Sequence, residues 1–371
     1  MTCDVAVAGG GLVGLSVAWH AARRGLSVTV VDDAPGSGAS RAAAGMLAPV
    51  SEAGYGEEAL LRLCLASLER YPAFLDALAA ATGVRVPLRT AGTLVVGFDD
   101  DDVRALADLQ RFHGELGLEV HRLPGREARR REPGLSPRVR GALHVAGDLS
   151  VDPRELHPAL LAAAEAAGVR VVRARAAGLL RDGGRACGLA LDGGGEVRAG
   201  AVVLALGAHS GHLPGAPALP VRPVKGQILR LRGAAGLLDG TVRALVRGRS
   251  VYLVPQGEDG LVVGATVEER GFDAAVTAGG VHDLLHDAID VVPGVSELEL
   301  TETLARWRPG TPDNAPLLGP SGVPGLVLAT GHHRNGVLLT PLTGELLAEL
   351  LVAGERPGLA APFGVERFGC S

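Results

Sequence analysis

A short apolar run that leads directly into closely spaced glycines is the feature of this sequence that most restricts its fold. Residues 5–8 read Val-Ala-Val-Ala, the motif Gly9-x-Gly11-x-x-Gly14 follows, and apolar residues then recur at helical spacing as far as Gly25. A second β-branched run ends at Asp32, 18 residues after Gly14. In such a strand–turn–helix unit, the glycines bring backbone N–H groups close to a pyrophosphate and the carboxylate binds a ribose diol. The pattern predicts a dinucleotide site; the alternative is a glycine-rich turn in an ordinary βαβ unit.

Composition excludes several classes of protein. The 371 residues allow about two domains, and a net charge of −5 without a long basic block argues against nucleic-acid binding. The cysteines Cys3, Cys64, Cys187 and Cys370 are far apart and form no CxxC pair, which predicts reduced thiols and no metal site. No charge-free apolar run reaches about 18 residues. We therefore expect a cytoplasmic protein without stable membrane insertion.

Strand patterns divide the chain into two kinds of sheet. Residues 201–206 and 326–330 are apolar runs that each end in a glycine, as at the N-terminus, and they predict buried parallel strands that deliver backbone to a ligand. From Val221 onward the strands alternate and are joined by short turns, which predicts an antiparallel sheet. The predicted fold class is α/β (α+β overall). A discontinuous nucleotide-binding domain is predicted over residues 1–84, 147–218 and 303–365, with a substrate domain inserted as residues 85–146 and 219–302.

Further motifs are spread along nearly the whole chain. They are Arg41–Leu47 (RAAAGML), Pro223–Gln227 (PVKGQ), Tyr252–Pro255 (YLVP), Val262–Thr266 (VVGAT), Arg308–Asp313 (RPGTPD), Gly331–Gly336 (GHHRNG) and Thr340–Gly344 (TPLTG). With these motifs the chain resembles the D-amino acid oxidase superfamily of FAD-dependent oxidoreductases and, within it, the glycine oxidases of thiamine biosynthesis. The resemblance implies a Rossmann-like FAD-binding domain of the D-amino acid oxidase type with an inserted antiparallel substrate domain.

The resemblance also implies which residues bind the cofactor, FAD. They are Gly9, Gly11, Leu12, Val13, Gly14, Asp32, Asp33, Arg41, Ala43, Ala44, Gly45, Met46, Ala176, Ala205, Gly207, Gly331, His333, Arg334, Asn335, Gly336, Val337 and Leu338. Sarcosine oxidases of the superfamily attach their flavin to a cysteine. No cysteine lies between Cys187 and Cys370 here, so we expect FAD to be bound non-covalently.

A small amino-acid substrate requires a cation with two donors for its carboxylate and a second hydroxyl donor. Arg308 and Tyr252 match the carboxylate-binding pair of the superfamily. Two alternatives remain open, since Arg306 can take the place of Arg308 and Tyr252 can be a plain core residue. The resemblance further implies that the carbonyl of Arg334 holds the amine and that Met46 narrows the pocket.

The reaction implied by the resemblance is oxidative deamination of glycine or other small amines and amino acids, with sarcosine and small D-amino acids as competing substrates. With O₂ the products are the 2-oxo acid, ammonia and hydrogen peroxide, and the glycine imine supplies the thiazole of thiamine. Thiazole-synthesis enzymes are then expected partners, and a homo-oligomer is expected. Two alternatives are a D-amino acid dehydrogenase that uses another electron acceptor and a non-catalytic FAD-binding subunit.

Overall fold

The computed structural model describes residues 1–246 and 248–369, so Cys370 lies outside the described residues. Its strands are β1 (Thr2–Ala8), β2 (Val28–Val31), β3 (Met46–Leu47), β4 (Leu88–Arg89), β5 (Thr93–Gly97), β6 (His121–Pro124), β7 (Gly141–Val145), β8 (Leu149–Val151), β9 (Arg170–Val172), β10 (Ala176–Asp182), β11 (Arg185–Leu191), β12 (Glu196–Leu204), β13 (Arg222–Arg232), β14 (Thr241–Val246), β15 (Arg249–Gln256), β16 (Gly260–Gly264), β17 (Glu299–Gly310), β18 (Leu317–Pro320) and β19 (Leu326–Thr330). Its α-helices are α1 (Leu12–Arg23), α2 (Ala39–Ala42), α3 (Glu58–Thr82), α4 (Asp100–Glu115), α5 (Gly125–Arg131), α6 (Pro153–Ala166), α7 (Ala278–Val291) and α8 (Thr340–Ala353). Among the described helices, none has the length and apolar character required to cross a bilayer.

The first sheet is built around parallel strands in the order β9-β2-β1-β12-β19. Val5 pairs with Ala201, and Val202 pairs with Leu326. The three strands that run into glycines are therefore parallel, as predicted, and they lie next to one another in the sheet. Helices α1, α3, α6 and α8 pack together over one face and bury an apolar core there. The carboxyl ends of β1, β12 and β19 therefore meet at one edge of the sheet, where ligands bind in open α/β folds.

The second sheet has the order β17-β13-β16-β15-β14-β5-β7-β6. Helix α7 packs against one face, with Leu284 and Ala288 in the same core as Leu229 and Val263. The pairing is antiparallel, as predicted, except between β5 and β14, which are parallel. These two strands come from separate insertions, so no short hairpin constrains their relative direction.

Strand β17 crosses one of the predicted domain boundaries. It pairs with β13 along its whole length, from Glu299 opposite Arg232 to Gly310 opposite Arg222. The boundary predicted at residue 303 therefore falls inside a strand of the second sheet, and the first sheet resumes only at β18. A period-2 pattern does not reveal which sheet a strand joins, because the pairing partner lies far away in sequence.

Hydrogen bonds tie the second sheet to the loop that follows β2. The side chain of Gln256 donates to the carbonyl of Ala44 at 2.6 Å, and Arg306 Nε donates to the carbonyl of Ser37 at 2.8 Å. Farther along this segment, Arg243 Nη1 donates to the carbonyl of Ser51 at 2.9 Å. These contacts hold the two sheets together around the cavity that is described below.

Candidate active site

The cavity between the two sheets has a volume of 860 Å³ and extends from the loop after β1 to Tyr252 and Arg308 on the second sheet. This volume is near the upper end of the range for ligand pockets, about 300–1,000 Å³. Backbone from the ends of β1 and β12 borders one part of it, and side chains from β15 and β17 border another. The shape suits an elongated ligand that meets a small substrate at one end.

At the nucleotide end, the glycines are required by close backbone packing. Gly9 has φ +108°, and a Cβ there would overlap the carbonyl oxygen of Ala205. A Cβ on Gly14 would overlap the carbonyl oxygen of Gly9, so this residue allows α1 to pack onto β1. The Asp32 carboxylate accepts hydrogen bonds from Gly10 N at 2.6 Å and from Ala34 N at 2.8 Å, and it thereby shapes the loops that face the cavity.

Most of the residues predicted to bind the cofactor border this cavity. They are Gly9, Gly11, Leu12, Val13, Asp32, Asp33, Ala43, Ala44, Gly45, Met46, Ala176, Ala205, Gly207, His333, Arg334, Gly336 and Val337. Five predicted residues lie outside its lining, namely Gly14, Arg41, Gly331, Asn335 and Leu338.

These five residues have other contacts. Arg41 forms an ion pair with Glu302 at 3.3 Å and borders a neighbouring cavity of 430 Å³. The carbonyl of Leu338 accepts a hydrogen bond from Ser67 Oγ at 2.7 Å, and Gly331 packs beside Thr311. Asn335 N donates to the carbonyl of His332 at 2.8 Å. These contacts hold the loops around the cavity in place, and the five residues themselves are not part of its lining.

At the substrate end, two glycines make room for two polar side chains. A Cβ on Gly264, which pairs with Tyr252 across the sheet, would overlap the tyrosine ring. A Cβ on Gly226 would overlap the guanidinium of Arg308, whose Nη1 donates to the carbonyl of Thr266 at 3.2 Å. Burial raises the pKa of the Tyr252 phenol, while the charge of Arg308 opposes this effect. The phenol therefore remains a neutral donor close to a cation, which suits recognition of a carboxylate.

Arg306 and Arg308 lie two residues apart on β17, so their side chains leave the same face of the sheet. Arg306 donates to the carbonyls of Ser37 and Ala305, each at 2.8 Å. Its guanidinium is therefore engaged with the first domain, whereas that of Arg308 lies beside Tyr252. The geometry favours Arg308 as the carboxylate ligand.

The loop after β19 brings two histidines to the cavity. His332 is buried and its ring lies 3.1 Å from Thr343 Oγ1, and burial lowers its pKa to about 3. His333 has φ +46°, its N donates to the carbonyl of Pro309 at 3.0 Å, and burial together with nearby arginines lowers its pKa to about 4. Both rings are neutral near pH 7. Neither histidine therefore contributes a positive charge at this end of the cavity.

The sequence analysis missed some residues that border the substrate end. Glu52, from the loop after β3, borders the cavity, and Gly226 lies beneath Arg308. Gly226 stands inside the PVKGQ motif, so a local signal existed for it. No local sequence motif marks Glu52. Its partner Arg243 is remote in sequence, and only the fold brings the two side chains together.

A family model described as FAD dependent oxidoreductase (DAO) matches residues 4–350 of the chain. The chain belongs to this family. Its cofactor is therefore FAD, the chain is an enzyme of the oxidoreductase class, and the resemblance seen in the motifs is confirmed. The residues present fit the cofactor, since a dinucleotide loop and Asp32 lie at one part of the cavity and the candidate substrate residues lie at another.

Individual relatives agree with this assignment. The chain is 36% identical to a glycine oxidase of Geobacillus kaustophilus, with 98% of this chain and 97% of the relative covered. It is 35% identical to the bifunctional protein ThiO/ThiG of Nostoc sp. over 99% of this chain but 55% of the relative, so it spans about half the length of that protein. The crystal structure of the glycine oxidase from Geobacillus kaustophilus superposes with a TM-score of 0.91 at 35% identity, covering 99% of both chains. The predicted fold class is confirmed.

Proposed function

We propose that this chain catalyses the oxidative deamination of glycine and similar small amino acids. The observation that carries the proposal is the pairing of Arg308 with Tyr252 at the substrate end of the FAD cavity, supported by the glycine oxidase relative that matches over nearly its full length. The net reaction is glycine + O₂ + H₂O giving glyoxylate + NH₃ + H₂O₂. When bound, FAD would supply the acceptor for a hydride from the substrate Cα, with O₂ as the final acceptor of the two electrons.

The protein's own residues orient and enclose the substrate. Arg308 binds the carboxylate through two charge-assisted hydrogen bonds, and the Tyr252 hydroxyl donates a third. The carbonyl of Arg334 accepts from the amine, and half-buried Met46 limits the size of the substrate side chain. Holding the Cα against the flavin in this way supplies the proximity that hydride transfer requires.

The cofactor is proposed to be bound non-covalently by the residues predicted above, with Asp32 on the ribose. Helix α8 begins at Thr340, just after the cavity residues Gly336 and Val337, so its positive end would favour negative charge on a flavin bound there. Acid precipitation tests the mode of attachment. We expect the yellow colour to remain in the supernatant, and colour in the protein pellet would contradict the proposal.

We further propose a cytoplasmic homo-oligomer whose glycine imine product serves thiazole-synthesis enzymes. In the ThiO/ThiG relatives, a region similar to this chain is joined to a second region within one protein, which favours such a partnership. The described cysteines Cys3, Cys64 and Cys187 are free, in keeping with a reducing compartment. Light scattering of the purified holoenzyme measures the oligomeric state.

Anaerobic mixing of the holoenzyme with single substrates tests the function. We expect glycine and sarcosine to remove the visible flavin absorbance faster than D-alanine or D-proline, with D-phenylalanine slowest. Admission of O₂ should then restore the oxidised spectrum. Reduction followed by negligible reoxidation with O₂ would instead indicate a dehydrogenase that uses another acceptor. No reduction by any of these compounds would indicate a non-catalytic FAD-binding subunit.

A further inference from the structure

A carboxylate borders the substrate end of the cavity, and nothing in the preceding description uses it. Glu52 lies in the loop between β3 and α3, and its side chain is 10% exposed. Its carboxylate forms an ion pair with the guanidinium of Arg243 at 3.3 Å, and the arginine side chain is 15% exposed. A charge that is so little hydrated and faces a binding cavity is costly unless it serves a ligand or the fold.

The register of the second sheet explains why Arg243 reaches this point. Arg243 on β14 is directly opposite Tyr252 on β15, so the two side chains leave the same face of the sheet. Arg243 Nη1 also donates to the carbonyl of Ser51 at 2.9 Å, which fixes the loop that carries Glu52. The carboxylate is thus held by a rigid strand beside the proposed carboxylate-binding pair.

A second carboxyl group lies near Arg243. Asp148 is buried, accepts from Val50 N at 3.3 Å and lies near Arg243, and its burial raises the pKa to about 6. Arg243 forms an ion pair with Glu52, and its charge also acts on Asp148. Of these two carboxyl groups, only that of Glu52 borders the cavity.

Tyr252 lies within the electrostatic influence of charges of both signs at this end of the cavity. Arg308 and Arg243 lower the pKa of the phenol and Glu52 raises it, in addition to the larger effect of burial. The cavity is therefore lined by a guanidinium, that of Arg308, and a carboxyl group, that of Glu52, which both act on the same tyrosine. A ligand that carries both a carboxylate and an ammonium group complements this arrangement, whereas a hydroxy acid satisfies only its cationic side.

We propose that Glu52 binds the amino group of the substrate, that Arg243 positions its carboxylate, and that the pair selects zwitterionic amino acids over hydroxy acids. The proposal rests on the proposed function for the identity of the substrate. It places the amine between two acceptors, the Glu52 carboxylate and the carbonyl of Arg334. An ammonium group has enough N–H donors for both.

The test compares Glu52→Gln with the matched control Glu57→Gln, whose carboxylate contacts Asn314 and is not in the cavity lining. We expect Glu52→Gln to raise the KM for glycine about ten- to hundredfold, the size of one hydrogen bond between charged groups, with a smaller change in kcat. The dissociation constant of glycolate, measured from the perturbed flavin spectrum, should change less than twofold. Glu57→Gln should alter neither quantity.

The role of Glu52 can be tested independently of the proposed function with two ligands that the enzyme cannot oxidise. 2-Aminoisobutyrate and 2-hydroxyisobutyrate have no Cα hydrogen and differ only in the ammonium and hydroxyl groups. We expect the amino ligand to bind the wild type more tightly and this preference to vanish in Glu52→Gln. Arg243→Lys, which keeps the positive charge, should retain more of the preference than Arg243→Gln.

Two results would overturn the assignment of Glu52. One is an unchanged KM for glycine together with an unchanged preference between the ligand pair. The other is equal weakening of amino and hydroxy ligands with loss of FAD, which would show that Glu52 only maintains the loop. A wild type that glycine does not reduce would refute the proposed function but leave the ligand-pair comparison valid.

Discussion

The two sheets use glycine for different purposes. In the first sheet, Gly9 follows β1 with φ +108° and Gly207 follows β12 with φ +56°, and both deliver backbone to the cavity. In the second sheet, Gly226 and Gly264 do not have a positive φ, and each leaves room for the side chain of a neighbouring strand, Arg308 or Tyr252. Backbone groups are suited to binding a cofactor that all members of a family share, because they do not depend on residue type. Side chains are suited to recognising one particular substrate. Changes in the two sheets should therefore separate cofactor binding from substrate binding.

The largest effect is expected at Gly9. Gly9→Ala places a Cβ against the carbonyl of Ala205 at a φ that L-residues rarely adopt, and neither backbone segment can yield. We expect loss of most bound FAD and a decrease in the free energy of unfolding of about 3 kcal/mol or more. The FAD-to-protein ratio and urea denaturation measure these effects. Gly38→Ala, at a cavity position with open space, is the control. Full FAD retention in Gly9→Ala would contradict the role in cofactor binding that we assign to the glycines of the first sheet.

Arg308→Ala should affect only the substrate. Loss of two charge-assisted hydrogen bonds, partly replaced by water, is expected to lower kcat/KM for glycine by about 10²–10³. Arg308→Lys should fall between this variant and the wild type, because lysine restores the charge without the two-donor geometry. The FAD content should not change in either variant. If Arg306→Ala abolishes turnover while Arg308→Ala retains it, the carboxylate ligand is Arg306.

The pH dependence of stability should be set largely by the first domain. Burial lowers the pKa of His20 to about 4, of His332 to about 3 and, with nearby arginines, of His333 to about 4. Because these folded-state values lie below the unfolded value of 6.5, the stability that they contribute is present above pH 6.5 and is lost as the pH falls. At pH 4.5, His332 alone accounts for up to about 2–3 kcal/mol.

Denaturation of the holoenzyme at pH 7 and pH 4.5 tests this expectation. His332→Asn should narrow the difference between the two unfolding free energies, whereas exchange of exposed His121 for Asn on β6 should not. An equal pH dependence in wild type and His332→Asn would show that the second domain, or the cofactor, sets acid stability.

The smallest effect is expected at Gly226. Gly226→Ala displaces the tip of the Arg308 side chain, which is flexible, rather than backbone. We expect about a tenfold decrease in kcat/KM for glycine with full FAD retention. Gly279→Ala on α7, where a Cβ meets open space, should leave kcat/KM unchanged. Loss of FAD from Gly226→Ala would mean that this glycine also serves the cofactor.

The comparison also explains which parts could be predicted from sequence. The glycine motif and Asp32 lie within one local strand–turn–helix unit, so their spacing alone carries the information. The glycines at residues 207 and 331 repeat the same local pattern. Arg41 belongs to a recognisable motif, yet its side chain turns to Glu302, a contact that depends on how β17 packs against the first domain.

The substrate end could be predicted only in part. Tyr252 and Arg308 stand in recognisable motifs, but Glu52 and Arg243 come together only because β14 pairs with β15 beside the loop that follows β3. A single sequence does not specify such a distant pairing. The assignment of β17 to the second sheet depends on long-range pairing for the same reason.

The chain passes between the two sheets four times, and this order has a consequence for how the protein is made. Strand β1 pairs with β12 from the middle of the chain, and β12 pairs with β19 from near its end. Contacts this distant in sequence form late and slowly. While the ribosome is still producing the middle of the chain, the pocket lacks the His333 loop. We therefore expect FAD to bind only after β19 and the loop that follows it have been synthesised, and we expect chains truncated before β19 to lose their flavin.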